Sequence, residues 1–236
     1  MENEPPADPN GAPPPADTAS ELNNLLQIIS GTAEIMENIW EGNEGSDKYF
    51  AMLRSSVDRA AKLTHTIALE GGAANDKILL HPALNYYAQR TRTPEPTTKT
   101  RVLIVDDEPL ALELAQTTFE DAGFEAKTAQ SGFECLDLVR TRPAYFQLVM
   151  LDLSMPFMDG EETFTRLREM SPNTAVMLNT GFIAAERLER MMEAGLSGFI
   201  RKPHRPSELV THVRRVLQTV RLSRAGCAPG LSAACH

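Results

Sequence analysis

From residue 18 to residue 40, apolar side chains recur at steps of three and four: Leu22, Leu25, Leu26, Ile29, Ala33, Met36 and Trp40. That spacing draws an apolar stripe along one side of an α-helix. Thr18-Ala19-Ser20-Glu21 has capping-box spacing, in which a hydroxyl and a carboxylate satisfy free amides reciprocally, and it predicts the helix start. Glu41-Gly42-Asn43-Glu44-Gly45 breaks the pattern. Ser46 then caps a second helix with Phe50, Leu53, Val57, Ala60, Ala61, Leu63 and Ile67 on its apolar side, and Gly71-Gly72 ends it. Residues 18–70 therefore predict an α-helical hairpin. Two helices bury too little surface to stand alone, so the stripe predicts self-association into a four-helix bundle.

The texture then changes. Residues 71–99 are irregular and read as a linker, with Lys77-Ile78-Leu79-Leu80 and Tyr86-Tyr87 as the apolar spots that could dock locally. Thr91-Arg92-Thr93-Pro94-Glu95-Pro96-Thr97-Thr98 is its polar, proline-bearing part. From Thr100 onward, short apolar runs alternate with longer helical patterns. The runs are 102–105, 124–128, 148–151, 175–178 and 198–200; the helical stretches are roughly 109–121, 131–141, 161–170, 183–194 and 206–221. Strand–helix alternation builds a parallel sheet with both faces covered. Five such units predict an α/β fold with a five-stranded, doubly wound parallel sheet, whose ligand site lies at the carboxyl ends of the strands. Residues 1–17 are Pro-rich and acidic without Lys or Arg and read as a disordered tail, and residues 223–236 read as a flexible one.

Composition narrows the function classes. The 236 residues carry a formal charge of -9 and a hydrophobic fraction of 42%. The first argues against a general nucleic-acid surface, and the second is enough for a real core. Three cysteines, Cys135, Cys227 and Cys235, make no disulfide framework and fit a reducing compartment. The N-terminus lacks a basic start and an apolar core, and no apolar run reaches bilayer length. The expectation is a cytoplasmic protein with no membrane contact.

The strand ends carry the chemistry. The first strand runs into Asp106-Asp107-Glu108, the third into Asp152, the fourth into Asn179-Thr180, and the fifth is followed by Arg201-Lys202-Pro203. Clustered carboxylates repel one another unless a cation sits among them, and hard oxygen ligands suit Mg²⁺. A carboxylate beside such a metal can attack phosphorus to form an acyl phosphate, with metal, lysine and threonine neutralising the developing charge. Taken singly, Asp106 or Asp107 reads as a helix cap, Asp152 as a loop residue and Lys202 as a solvated charge. Their joint position at the ends of separate strands favours the chemical reading.

These segments, VLIVDDEP, VMLDLSMPFMDG, LNTG and GFIRKP, resemble in order and spacing the four signature segments of the response-regulator receiver family, over about residues 100–222. The resemblance implies a flavodoxin-like receiver whose phosphoacceptor is Asp152. It implies Mg²⁺ (or Mn²⁺) held by Asp107 directly, by Asp106 largely through water, by Asp152 and by the backbone carbonyl of Ser154. Thr180 resembles the switch hydroxyl, Lys202 the phosphoryl-contacting lysine before a cis Pro203, and Phe199 the switch aromatic. His204 stands where the family often has Phe, and no change in the chemistry is expected from it.

The segment Glu21-Leu22-Asn23-Asn24-Leu25-Leu26 with Ile29, Gly31 and Glu34, followed by Arg59-Ala60-Ala61-Lys62-Leu63-Thr64, resembles the dimerisation and phosphotransfer hairpin of histidine kinases. Ser20 stands where the phosphoaccepting histidine would be, and no ATP-binding segment follows, so no autokinase activity is expected. Glu21 and Asn24 match positions that flank that histidine and help orient water during receiver dephosphorylation. His65, on the second helix, is the one alternative phosphoacceptor of the hairpin, but it reads rather as a surface histidine, as do His81 and His212; His236 and the C-terminal cysteines lack metal-site spacing. The expected function is two-component signalling. A histidine kinase or histidine phosphotransferase is the phosphodonor, a downstream protein is contacted through the receiver's last two helices and the strand between them, and the hairpin forms a homodimer. The alternatives are a phosphate sink, or a receiver-directed phosphatase or scaffold acting through Asn24. An aspartate-nucleophile phosphohydrolase is disfavoured because Ser154 stands where the leaving-group acid would be.

Overall fold

In the computed structural model, residues 15–39, 46–70, 77–81 and 99–226 are described. The expected tail before Pro15, the rest of the linker and the tail beyond Gly226 lie outside them. Helices α1 (Pro15–Ile39) and α2 (Ser46–Glu70) form the hairpin. Strand β1 (Ile78–Leu80) follows. The α/β unit then runs β2 (Arg101–Val105), α3 (Pro109–Asp121), β3 (Glu125–Ala129), α4 (Gly132–Thr141), β4 (Leu148–Leu151), α5 (Gly160–Met170), β5 (Ala175–Thr180), α6 (Ala185–Glu193), β6 (Gly198–Arg201) and α7 (Pro206–Gly226).

The sheet has six strands, not five, in the order β1-β6-β5-β4-β2-β3. Strands β2 to β6 are parallel, as the alternation predicts. The added strand is Ile78-Leu79-Leu80, which pairs antiparallel with β6, Leu79 opposite Phe199. A three-residue apolar run is too short to declare itself a strand, but the open edge of β6 offers unpaired amides and carbonyls to complete it. Arg201 N donates to Lys77 O at 2.8 Å and His81 N to Ser197 O at 3.2 Å, extending the seam at both ends. The last helix of the expected unit also runs further than residue 221, since α7 continues to Gly226 and takes up the start of the expected flexible tail.

Strands β4 and β5 are buried at every position, which is why they read as unbroken apolar runs. Alternate side chains feed two cores. Leu103, Val105, Val149, Leu151, Val176 and Leu178 face α4, α5 and α6, whereas Val102, Ile104, Leu148, Met150 and Met177 face α3 and α7. Gly123 and Gly195 follow α3 and α6 with φ of 86° and 93°, where a side chain would be strained. Cys135 is buried in the first core, and burial pushes its thiol up to about 12, so it is a packing residue. His212 is a correction: it lies on the buried face of α7, not on the surface, and burial lowers its pKa to about 4.

The hairpin also departs from expectation in detail. Helix α1 starts at Pro15, inside the segment read as tail, so Thr18 lies within the helix and cannot be its N-cap. Proline is well suited to a first helical turn because its missing N–H would be unpaired there. The apolar stripe divides. Leu26, Ala33, Phe50 and Val57 are buried, whereas Leu22, Leu25, Ile29, Met36, Leu53 and Leu63 remain exposed, Leu25 at 53% and Leu63 at 69%. Helix α1 packs on α2 and also on α3 of the α/β unit. Among the described residues no helix is long and apolar enough to cross a membrane.

Candidate functional site

Register brings the site together. Val105 lies opposite Leu151, Leu151 opposite Leu178, and Thr180 opposite Arg201. The residues that follow these strands therefore emerge on one edge. Strands β3 and β4 lie on either side of β2, so Asp106 and Asp152 sit at the point where the winding reverses. The Asp152 N–H donates to Val105 O at 2.9 Å, and the loop after it folds back so tightly that a side chain on Gly160 would fall 2.3 Å from Asp152 O.

Three buried side chains form the centre. Lys202 Nζ donates to Asp106 Oδ2 at 2.7 Å and to Asp152 Oδ1 at 3.1 Å, with Lys202 and Asp152 each 1% exposed. The remaining Asp152 oxygen accepts from Ser154 N at 2.6 Å, and Asp106 Oδ1 accepts from Glu108 N at 3.0 Å. Burial raises the Asp152 pKa to about 6; Lys202 opposes this, and Asp106 adds to it. Burial also works against the Lys202 ammonium, but the two carboxylates outweigh it and hold its pKa above the ordinary lysine value. A single ammonium is thus shared between two carboxylates, and Asp106 holds it more closely.

The other expected residues surround this centre. Thr180 is fully buried at the end of β5, its hydroxyl donating to Phe182 O at 3.4 Å, and Lys202 N donates to Thr180 O at 3.0 Å. Phe199 is fully buried in β6, opposite Leu178 on one side and Leu79 on the other. The Lys202-Pro203 bond is cis. Asp107 is exposed; burial and the neighbouring Asp106 raise its pKa. Among the described residues no three His, Cys, Asp or Glu side chains stand close enough to cage an ion as they are. In kind the donors still fit a hard divalent cation: all are oxygens, and the carboxylates carry more negative charge than Lys202 neutralises.

The hairpin lies on this same edge, where the alternative reading through Asn24 requires it to act. Ser20 Oγ is 3.0 Å from Ser154 Oγ. Asn24 Oδ1 accepts from Lys202 Nζ at 3.0 Å. Asn23 Nδ2 donates to Gly181 O at 3.0 Å, and Gln27 Oε1 accepts from His204 N at 2.6 Å. Glu21, in contrast, is exposed. Asn23 and Gln27 were not singled out, although their spacing from Ser20 repeats every three or four residues and forms a polar stripe on α1. His65 is another correction: it is half-buried against Arg201 Nη1 at the boundary between the hairpin and the α/β unit rather than a surface group. His204 is buried with Nε2 2.6 Å from Asn179 Oδ1, and burial, with Lys202 next, lowers its pKa to about 3. It therefore stays neutral beside the site.

Strand order, switch point and buried acid–lysine centre define a CheY-like α/β receiver. The family model of the response regulator receiver domain matches residues 102–214. The two-component response regulator ARR22 of Arabidopsis thaliana is 38% identical over 104 residues, covering 43% of this chain and 72% of that protein. ResD of Bacillus subtilis, a transcriptional regulatory protein, is 32% identical over 124 residues, 52% of this chain and 50% of that one. The sensor histidine kinase GacS of Pseudomonas protegens is 34% identical over 119 residues, 47% of this chain but 13% of GacS. The receiver domain protein of Methanospirillum hungatei superposes with a TM-score of 0.50 at 25% identity, over 53% of this chain and 99% of that structure. The chain belongs to the response regulator receiver family, a family of two-component phosphorelay signalling, and it spans about half the length of most of the curated relatives it matches.

Replacing Lys202 with methionine leaves two buried carboxylates without a counter-charge. K202M is expected to lose about 3 kcal/mol of urea stability in chelator at pH 7.5, with much of it recovered in K202M/D106N. A loss below about 0.5 kcal/mol in the single variant would show that the ammonium does not hold this edge together.

Proposed function

We propose that this chain is a phosphoacceptor regulator in which Asp152 takes a phosphoryl group from a phosphohistidine donor, a histidine kinase or histidine phosphotransferase, and the change is passed on through protein contacts. The observation that carries this reading is the buried Lys202 ammonium shared between Asp106 and Asp152. An Asp152 carboxylate oxygen attacks phosphorus, an O–P bond forms, and the N–P bond of the donor breaks. The imidazole leaves with the bonding electron pair and holds its proton. Asp152 must be ionised to attack, and the Lys202 and Ser154 N–H groups beside it favour that form. Mg²⁺ (or Mn²⁺), bound by Asp106, Asp107, Asp152 and the Ser154 carbonyl, would supply neutralisation of the phosphoryl oxygens. Lys202 supplies a further positive contact to the transferred group, and Thr180 a hydroxyl one residue beyond Asn179. Thr180 and Phe199 bias the surface of α6, β6 and α7, whose open strand edge is paired with β1 in this chain.

The reading assigns residues 100–222 to the receiver and residues 18–70 to a pseudo-phosphotransfer hairpin without its histidine. The exposed row of Leu22, Leu25, Ile29, Met36, Leu53 and Leu63 supports self-association through a face of the hairpin that is not turned to the receiver. A second copy of the same hairpin would bury that row in a four-helix bundle. A second reading is favoured by one contact: Asn24 Oδ1 sits 3.0 Å from Lys202 Nζ, within the phosphoacceptor centre. An amide there is placed to orient water against an acyl phosphate, making the hairpin a phosphatase element for its own receiver.

Acetyl phosphate with Mg²⁺ is expected to add one phosphoryl group to the intact chain by mass, with none added to Asp152→Ala or in excess chelator; persistent labelling of Asp152→Ala would misplace the acceptor. Light scattering is expected to give twice the chain mass for the native protein and the single-chain mass for Leu25→Glu/Ile29→Glu; a native monomer at micromolar concentration removes the bundle. The phosphorylated form of Asn24→Ala is expected to last about tenfold longer than the native one, in the range that positioned proton and water handling contributes. Equal lifetimes dispose of the phosphatase reading.

A further inference from the structure

Helix α1 sits on the receiver by one stripe of side chains. Ser20, Asn23, Asn24 and Gln27 recur at helical spacing, each with a polar contact to a different piece of the receiver edge: Ser154, Gly181, Lys202 and His204. Two glycines allow the approach. A side chain on Gly31 would fall 2.3 Å from Leu114 Cδ2 of α3, and one on Gly181 would fall 2.7 Å from Asn23 Cβ and 3.2 Å from Ser20 O. The close contacts of both glycines are across the boundary, so this is a fitted interface and not a chance touch. Leu22, Leu25, Ile29 and Met36 lie on other sides of the helix and stay exposed. Self-association and receiver docking therefore use different faces of α1.

The seated helix affects both access and chemistry. An ammonium has three protons. Those of Lys202 go to Asp106 Oδ2 at 2.7 Å, Asp152 Oδ1 at 3.1 Å and Asn24 Oδ1 at 3.0 Å. The Asn24 amide is the one acceptor of the three that comes from outside the receiver. While α1 is seated, Lys202 has no proton to offer an arriving phosphoryl oxygen, and Asp152 retains 1% of its surface.

We propose that α1 is the resident occupant of the surface on which a phosphohistidine-bearing protein must dock, so that the donor has to displace it before Asp152 can be phosphorylated. This rests on Asp152 being the acceptor. The donor then works only on the fraction of molecules with α1 lifted, and its apparent affinity falls by that fraction. A small donor needs only the opening over Asp152 and feels the helix less.

The test uses the full chain and two lifting variants. Gly31→Phe adds bulk against α3, far from the acceptor, and Asn23→Ala/Gln27→Ala removes two hydrogen bonds without adding any. Each is labelled with a phosphorylated histidine phosphotransfer protein at subsaturating concentration and, separately, with acetyl phosphate, both with Mg²⁺. The expected result is that at least one variant is labelled by the protein donor about tenfold faster than the native chain, with a smaller gain from acetyl phosphate. Unchanged or slower labelling by the protein donor in both variants overturns the proposal, and so does a gain no larger than that seen with acetyl phosphate. Failure of the native chain to accept phosphate from acetyl phosphate would instead strike the acceptor reading on which it rests.

Discussion

The Lys202 ammonium is the point on which this structure turns. It lies at 1% exposure between Asp106 and Asp152, two carboxylates that could not both remain ionised so deep in the protein without it. The compensation is incomplete, since one positive charge faces two negative ones; burial first, and the Asp106 charge after it, hold the Asp152 carboxyl above the usual carboxylate range against the pull of Lys202. A site left with surplus negative charge among oxygen ligands is poised for a hard divalent cation and for the phosphoryl chemistry that such a cation supports. The same ammonium also takes the Asn24 amide, which links the hairpin to the centre.

Position follows from backbone geometry before any side chain is considered. Parallel pairing aligns the ends of β2, β4, β5 and β6, and acid, acid, threonine and lysine stand at those ends in turn. Gly160 permits the loop after Asp152 to return against it, which tethers Asp152 between the Val105 carbonyl and the Ser154 amide. The two cores on either side of the sheet hold those strand ends rigidly, so a small charge change at Asp152 has a firm frame to act against.

The N-terminal third is not an appendage to this frame. Helix α1 covers the edge that carries Asp152 and Lys202, and β1 completes the outer edge of β6 opposite Phe199. His65 of α2 against Arg201 at the end of β6 adds a further point of contact between hairpin and receiver.

Apolar runs and carboxylate positions determined, from the sequence alone, that five parallel strands alternate with helices and that Asp106, Asp107, Asp152, Thr180 and Lys202 share one edge. Both are local or periodic properties: a fully buried strand must be apolar throughout, and a strand end is where a doubly wound sheet presents its chemistry. Helix existence in the hairpin was legible for the same reason, while its first residue, Pro15, was not, since boundaries depend on a few hydrogen bonds that many starts can satisfy. Only the tertiary structure decided where the hairpin goes, that Ile78–Leu80 is a strand, and that His65 and His212 are not surface groups. Those outcomes depend on contacts between residues more than a hundred positions apart, such as Asn24 with Lys202 and His65 with Arg201, whose partners no local pattern specifies.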